Sequence, residues 1–149
     1  MFLNARPTGS LILLDGAGCF LSLLRAREPQ RGLWELPGGF CDGFEAPFDA
    51  AMREGREELG AAVVLHDFVG MYVGEYLYQD ELLPVLDSFW LATLAPGETI
   101  TLDPDEASEM SWLPLAAPPA MAFRTMDRAL RDAAAMVAGA TVKKGSRRE

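Results

Sequence analysis

The sequence predicts an α/β fold. Three observations carry that reading. Aliphatic runs at residues 10–14 and 20–24 flank the turn-like Asp15-Gly16-Ala17-Gly18; a helix-like segment is bounded by Pro47 and Gly60; and apolar residues recur at rough helical spacing from Met121 to Val137. Strands thus alternate irregularly with two substantial helices, a pattern that physics resolves into layers of helix and sheet.

The elements follow in order. Residues 10–14 and 20–24 read as the two strands of a hairpin. Residues 25–32 are polar and contain Pro29, hence a loop. Pro47 suits the first turn of a helix and Gly60 its C-terminal cap. Residues 63–65 and 69–78 read as strands interrupted at His66-Asp67, residues 86–94 as another, and residues 110–113 as a short one. Pro96-Gly97 and Pro104 make residues 95–105 a loop. Met121, Phe123, Met126, Leu130, Ala134 and Val137 line a closing helix after Pro118-Pro119, the methionines being core filler.

With 149 residues, half of them hydrophobic, the chain is long enough for one domain with a sizeable core. That domain is expected to span residues 1–138, with residues 139–149 a basic, flexible tail. No apolar run approaches the roughly 20 residues of a membrane span, and the N-terminus does not read as a secretory signal. Cys19 and Cys41 match no zinc or redox spacing and read as reduced thiols, so a cytoplasmic location is expected. A net charge of −9 argues against sequence-independent nucleic-acid binding, which needs a basic surface.

Most of the chemical information lies between Gly39 and Gly60. Glu54, Glu57 and Glu58 follow a glycine-containing loop and fall within roughly 100° of arc on one helix face. Like charges at this spacing repel, and a cation would turn that repulsion into binding; hard cations such as Mg²⁺ prefer carboxylate and carbonyl oxygens beside substrate phosphates. Three glutamates alone would more simply be a solvated acidic helix face, the usual meaning of a charge run. The wider spacing decides. Gly39, Glu45, Arg53, Glu54, Glu57, Glu58 and Gly60 resemble the Nudix box at every one of these positions. At roughly 6% per residue type, a chance match is on the order of 10⁻⁸ per starting position. Phe44, Gly55 and Ala61 depart from the pattern, and they touch loop shape and packing rather than ligands. The stretch from Trp34 to Phe40 and the order Glu106–Trp112 extend the resemblance to roughly residues 8–135.

The resemblance implies a Nudix fold, a mixed, bent β-sheet sandwiched between helices. It also implies a hydrolase that cleaves the diphosphate of a nucleoside diphosphate linked to another moiety, with Mg²⁺ or Mn²⁺ as cofactor. On that likeness Glu57 and Glu58 are metal ligands, Glu54 is a ligand or the general base, and the Gly38 carbonyl is a further ligand. Glu106 is the acidic ligand or base from the late loop, with Asp105 and Glu109 as rivals. Arg53 orients the carboxylates and pairs with Glu45, and Gly39 and Phe40 border the substrate.

The expected substrate is NADH, ADP-ribose or a nucleotide sugar, with (oxidised) nucleoside triphosphates as the alternative. The expected partners are this small molecule alone, neither nucleic acid nor membrane, and a homodimer is compatible with the sequence. Trp34, Phe40 and Tyr76 are candidates either to stack a base or to belong to the core. An isoprenoid diphosphate isomerase needs a histidine-rich site that His66 alone cannot supply. A non-catalytic nucleotide sensor is disfavoured by the intact glutamates.

Overall fold

The computed structural model describes residues 4–146, with side chains through residue 140. Among the described residues there are seven strands and two helices: β1 (Arg6–Leu13), β2 (Cys19–Arg25), β3 (Trp34–Glu35), β4 (Gly38–Phe40), α1 (Pro47–Leu59), β5 (Val63–Tyr78), β6 (Glu81–Leu94), β7 (Ala107–Pro114) and α2 (Arg124–Ser146). None of the described helices is long and apolar enough to cross a membrane.

The α/β architecture is the one expected, but the strands form two sheets. One has the order β4-β1-β6-β5 and the other β3-β2-β7. The first is mixed: β1 runs parallel to β6 and antiparallel to β4. The expected hairpin of residues 10–14 and 20–24 is replaced by a corner. Only Leu14 and Phe20 bridge; beyond them β1 and β2 part into different sheets. In β5, the expected break at His66-Asp67 is a pair of register shifts, so a single strand runs through it. Strand β6 starts at Glu81, earlier than residue 86, because the tight turn at Gln79-Asp80 closes a long hairpin.

Leu11, Ile12 and Leu13 are all fully buried, which requires cover on both faces of β1. Leu11 and Leu13 join Ala51 and Leu59 of α1 in one core cluster. Ile12 joins Phe89, Met126, Ala129 and Leu130 on the α2 side. Each buried Leu or Phe contributes about 1.5–3 kcal/mol to holding a helix on the sheet. Gly55 explains its own departure from the box: a Cβ there would lie 2.8 Å from a Leu11 methyl, so Leu11 occupies the space that a larger residue would take.

Helix α1 has Pro47 at its start and ends at Gly60 in the left-handed conformation, φ 59°. The late loop is tied to that end. Thr101 N–H donates to the Leu59 carbonyl and Asp103 N–H to the Glu58 carbonyl, satisfying groups that a helix terminus leaves open. Helix α2 begins at Arg124, so Met121 and Phe123 precede it; Asp127 accepts the Met121 N–H at 2.9 Å. The helix continues through Ser146, past residue 138, and residues 147–149 lie outside the described residues.

Candidate active site

Strand β4 lies antiparallel to β1 with Gly39 opposite Gly9 and Gly38 opposite Ser10, and α1 packs across both. Because β4 carries glycines here, the helix can bring acidic side chains onto the strand. A Cβ on Gly39 would fall 2.6 Å from the Glu54 carboxylate carbon. Glu58, one turn further, lies on the buried face of α1 and is only 6% exposed, with the Gly38 N–H donating to its Oε2 at 3.3 Å.

Glu54, Glu58, Glu106, Gly38, Gly39 and Phe40 line a single cavity of about 430 Å³. Of the late-loop acids, Glu106 lines it, whereas Asp103, Asp105 and Glu109 do not. Glu57 is also outside its lining: its side chain is 58% exposed at the rim, and Arg53 Nη1 donates to it at 3.1 Å.

Arg53 joins these groups. Its Nε and Nη2 donate to the two Glu45 carboxylate oxygens, each at 2.9 Å, in a bidentate fork. Nη1 also donates to Glu54 at 3.0 Å, and Nη2 donates to the Phe40 carbonyl at 3.1 Å. The guanidinium therefore fixes loop, strand and helix together. It holds the Glu45 carboxyl down to about 2, chiefly through the direct hydrogen bond, while the Glu45 fork pushes Arg53 upward.

The deeper carboxyls shift the other way. Burial pushes Glu58 well above the ordinary range, and Glu35 and Glu54 nearby add to the rise. Burial likewise raises Glu54, although Arg53 opposes it. Glu35 was not among the expected site residues. It lines the same cavity, is raised by burial, and forms a close ion pair with Arg25. Arg27 sits beside Glu106 at 3.4 Å. Charge within the apolar stretch Trp34-Glu35-Leu36 was the one local signal for Glu35. Arg25 gives none, because its partner lies across a strand pair.

The donors are of the kind a hard divalent cation takes. Several carboxyls of one sign face a single cavity, and the most buried has one protein donor among its hydrogen bonds. Among the described residues no three His, Cys, Asp or Glu side chains are yet arranged to hold a metal ion, so the carboxyls would have to converge on one. The same cavity also carries aromatic rings. Tyr76 lies edge-on to Phe40 at 5.3 Å and 5.7 Å from Phe123, and Arg25 covers the Phe123 ring. Asp87, also in the cavity lining, accepts from Thr8 at 2.7 Å and from Thr125 at 2.6 Å. The Cys41 thiol is pushed up, mainly by burial, so its reactive thiolate is disfavoured. His66 stays on an exposed stretch of β5, within 2.8 Å of the Thr93 hydroxyl.

Acidic residues on a helix, a close-packed glycine strand and aromatic rings thus share one cavity of an α/β fold. Residues 5–133 match the NUDIX domain, and the chain belongs to that family. Relatives include the low-salt glycan biosynthesis protein Agl8 of Haloferax volcanii, 34% identical over 96 residues, covering 64% of this chain and 58% of that protein. The chain thus spans under two thirds of that relative's length. An RNA pyrophosphohydrolase of Erythrobacter litoralis is 27% identical over 126 residues, 74% of this chain and 77% of that protein. Among solved structures, a C. elegans Ap4A hydrolase binary complex superposes with a TM-score of 0.72 at 25% identity, covering 91% of this chain and 99% of that one. The named activities of these relatives differ from the NADH and ADP-ribose hydrolysis that the sequence suggested.

Proposed function

We propose that the chain hydrolyses a phosphoanhydride bond in a nucleoside polyphosphate, with Mg²⁺ or Mn²⁺ as cofactor. The observation that carries this is the placement of Glu54, Glu58 and Glu106 with the Gly38-Gly39 backbone in one cavity that also takes in Phe40, Tyr76 and Phe123. A phosphate chain against Glu54, Glu58 and Glu106 and a base against the rings match that lining. Glu54, Glu58, Glu106 and the Gly38 carbonyl would hold the cation, and Glu57 is close enough along the helix to join them if Arg53 releases it. When bound, the cation neutralises the phosphates and activates water for attack at phosphorus.

The residues themselves supply positioning. Arg53 orients Glu54 and Glu57 through its fork on Glu45. Glu54 or Glu106 takes the proton of the attacking water, and the cleaved anhydride oxygen departs as a phosphate. Arg25 and Arg27 border the same cavity and suit the negative charge of the polyphosphate. The activities named for two relatives support polyphosphate substrates over NADH and ADP-ribose.

The test is a panel of nucleoside triphosphates, dinucleoside polyphosphates, 5′-triphosphorylated oligonucleotides, ADP-ribose and NADH, assayed with Mg²⁺ or Mn²⁺ for phosphate-containing products. Turnover of ADP-ribose or NADH above all others would restore the earlier expectation. No turnover of any member would remove the proposed activity.

A further inference from the structure

The β5–β6 hairpin has two faces, and the protein covers only one of them. On the covered face Tyr72 and Gly74 of β5 lie beside Asp87 and Val85 of β6. Helix α2 sits there: Tyr72 donates to Asp132 at 2.5 Å, and a Cβ on Gly74 would lie 2.6 Å from the Thr125 methyl. The other face looks toward α1. Gly9 is in register with Ser88, and a Cβ on Gly9 would collide with the Pro47 carbonyl of α1. Yet α1 packs chiefly on β1 and β4 and leaves most of the hairpin bare. The rows on that face are Phe68 beside Trp90, Met71 beside Ser88, Val73 beside Leu86, Glu75 beside Pro84, and Leu77 beside Leu82.

This face is apolar and open. Val73 is 66% and Met71 57% exposed, and Phe68, Leu77 and Leu82 are exposed as well. Phe48 and Met52 on the flank of α1 extend the patch, Phe48 meeting the Trp90 ring edge-on at 5.8 Å. Together these residues leave on the order of 700 Å² open, above the roughly 300–600 Å² of the largest patch on an ordinary monomer and close to the roughly 800 Å² that each partner gives to a stable complex. Glu75 is the one charged residue in the rows. The sequence has no Lys or Arg between Arg56 and Arg124, and the edge strand β5 lacks the Lys or Pro that usually blunts such an edge.

The rows are also self-complementary. Val73 and Leu86 form the central one. Two rows toward the turn lies the leucine pair Leu77–Leu82; two rows the other way lies the aromatic pair Phe68–Trp90. The register shift between Phe68 and Gly70 absorbs the extra residue on β5. A two-fold axis crossing the strands at the central row would set each leucine pair on the other copy's aromatic pair, as an isologous contact requires.

We propose that the open face of β5 and β6 is the interface of a homodimer, two copies packing these faces together across a two-fold axis at the Val73–Leu86 row. The area is that of a stable interface, and the rows match their own two-fold image, which a lipid surface or an unrelated protein would not require. A chain of net charge −9 with no basic residue in the patch also repels anionic lipid. Val85 and Asp87 line the active cavity from the covered face of the same hairpin, so the dimer braces one wall of that cavity.

The test is sedimentation equilibrium of the full chain up to about 100 μM, where a dimer of micromolar dissociation constant is nearly complete. Wild type should dimerise. Val73→Arg sets two like charges at the axis and should raise the dissociation constant at least about thirtyfold, the size of a central hot-spot loss. Met110→Arg, at an exposed apolar residue of β7, should leave it unchanged. Phe68→Arg and Leu77→Glu should each be monomeric alone and dimerise when mixed in equal amounts, because the axis sets Phe68 of one copy on Leu77 of the other. Melting curves check that the variants are folded, and the mixing experiment decides if Val73→Arg unfolds. A wild type monomeric throughout, a folded Val73→Arg protein as dimeric as wild type, or a mixture no more dimeric than its parts would overturn the inference. A monomeric wild type that floats with neutral phosphatidylcholine vesicles would also overturn it and give the face to a lipid surface.

Discussion

Gly39 and Glu54 occupy the same space: a single Cβ on the glycine would stand 2.6 Å from the carboxylate. The strand is bare at this point because the helix places an acid there. Gly39→Ala should therefore displace Glu54 and cut turnover by at least about tenfold, a loss of about 1.4 kcal/mol in transition-state stabilisation. Melting should change less than activity, since Glu54 can swing toward solvent. Steady-state kinetics and thermal melting of the same preparation check this, and wild-type turnover would remove Glu54 from the reacting centre.

Glu58 should reverse its effect on stability with metal. Its folded-state carboxyl is raised above the ordinary 4.5 by burial. Its contribution is thus fully present below about 4.5 and is lost as pH rises through the raised value. Near neutral pH and without metal, Glu58→Gln is expected to melt no lower than wild type. With Mg²⁺ wild type should rise and the variant should not. A strong metal-induced rise in the variant would count against Glu58 as a ligand.

Glu45 has the opposite sign. Its folded carboxyl is held down to about 2 from 4.5, so the stabilisation is present above about 4.5 and is lost as pH falls through about 2. Glu45→Gln should flatten the acid limb of stability in that window. Arg53→Lys should flatten it partly, because an ammonium cannot reproduce the two-bonded fork. Denaturant midpoints measured across the window decide this; an unchanged acid limb in Glu45→Gln would show that the fork does not persist in solution.

Glu106 should be distinguishable from its acidic neighbours. It alone among Asp103, Asp105, Glu106 and Glu109 lines the cavity. Glu106→Gln is expected to lower the maximal rate by about 10²-fold or more, in the range of a lost acid–base group, with little change in melting. Asn or Gln at the other three should leave the rate within a few-fold. Asp103 carries one qualification from its geometry: its N–H caps α1, but its side chain is not needed for that bond. A crippled Asp105 or Glu109 variant beside an active Glu106→Gln protein would move the role.

How much of this was legible in the sequence depended on distance along the chain. Helix α1 could be read from Pro47 and Gly60 because both signals are local. The box residues could be read together because one short strand, the loop after it and the next helix carry them. Strand partners could not. Residues 15–18 look like a hairpin turn, yet β1 finds its long partner in β6, where Leu11 pairs with Trp90. A continuous apolar strand carries no local mark of which neighbour it will choose. The same limit hid much of the cavity. Thr8 and Asp87 are 79 residues apart, and Asp87 and Thr125 are 38 apart. Arg25 meets Glu35 only because β2 and β3 pair. The start of α2 at Arg124 was obscured because Met121 and Phe123 fit helical spacing while belonging to the segment that leads into it.

The central claim is that the carboxylates facing this cavity act through a bound divalent cation on a phosphoanhydride. It is tested most directly by hydrolysis of the best polyphosphate substrate by metal-stripped protein, followed during stepwise addition of Mg²⁺ or Mn²⁺. Turnover should be absent in excess EDTA and return in proportion to metal bound, with Glu58→Gln requiring far more metal than wild type. Full turnover in excess EDTA would contradict the account.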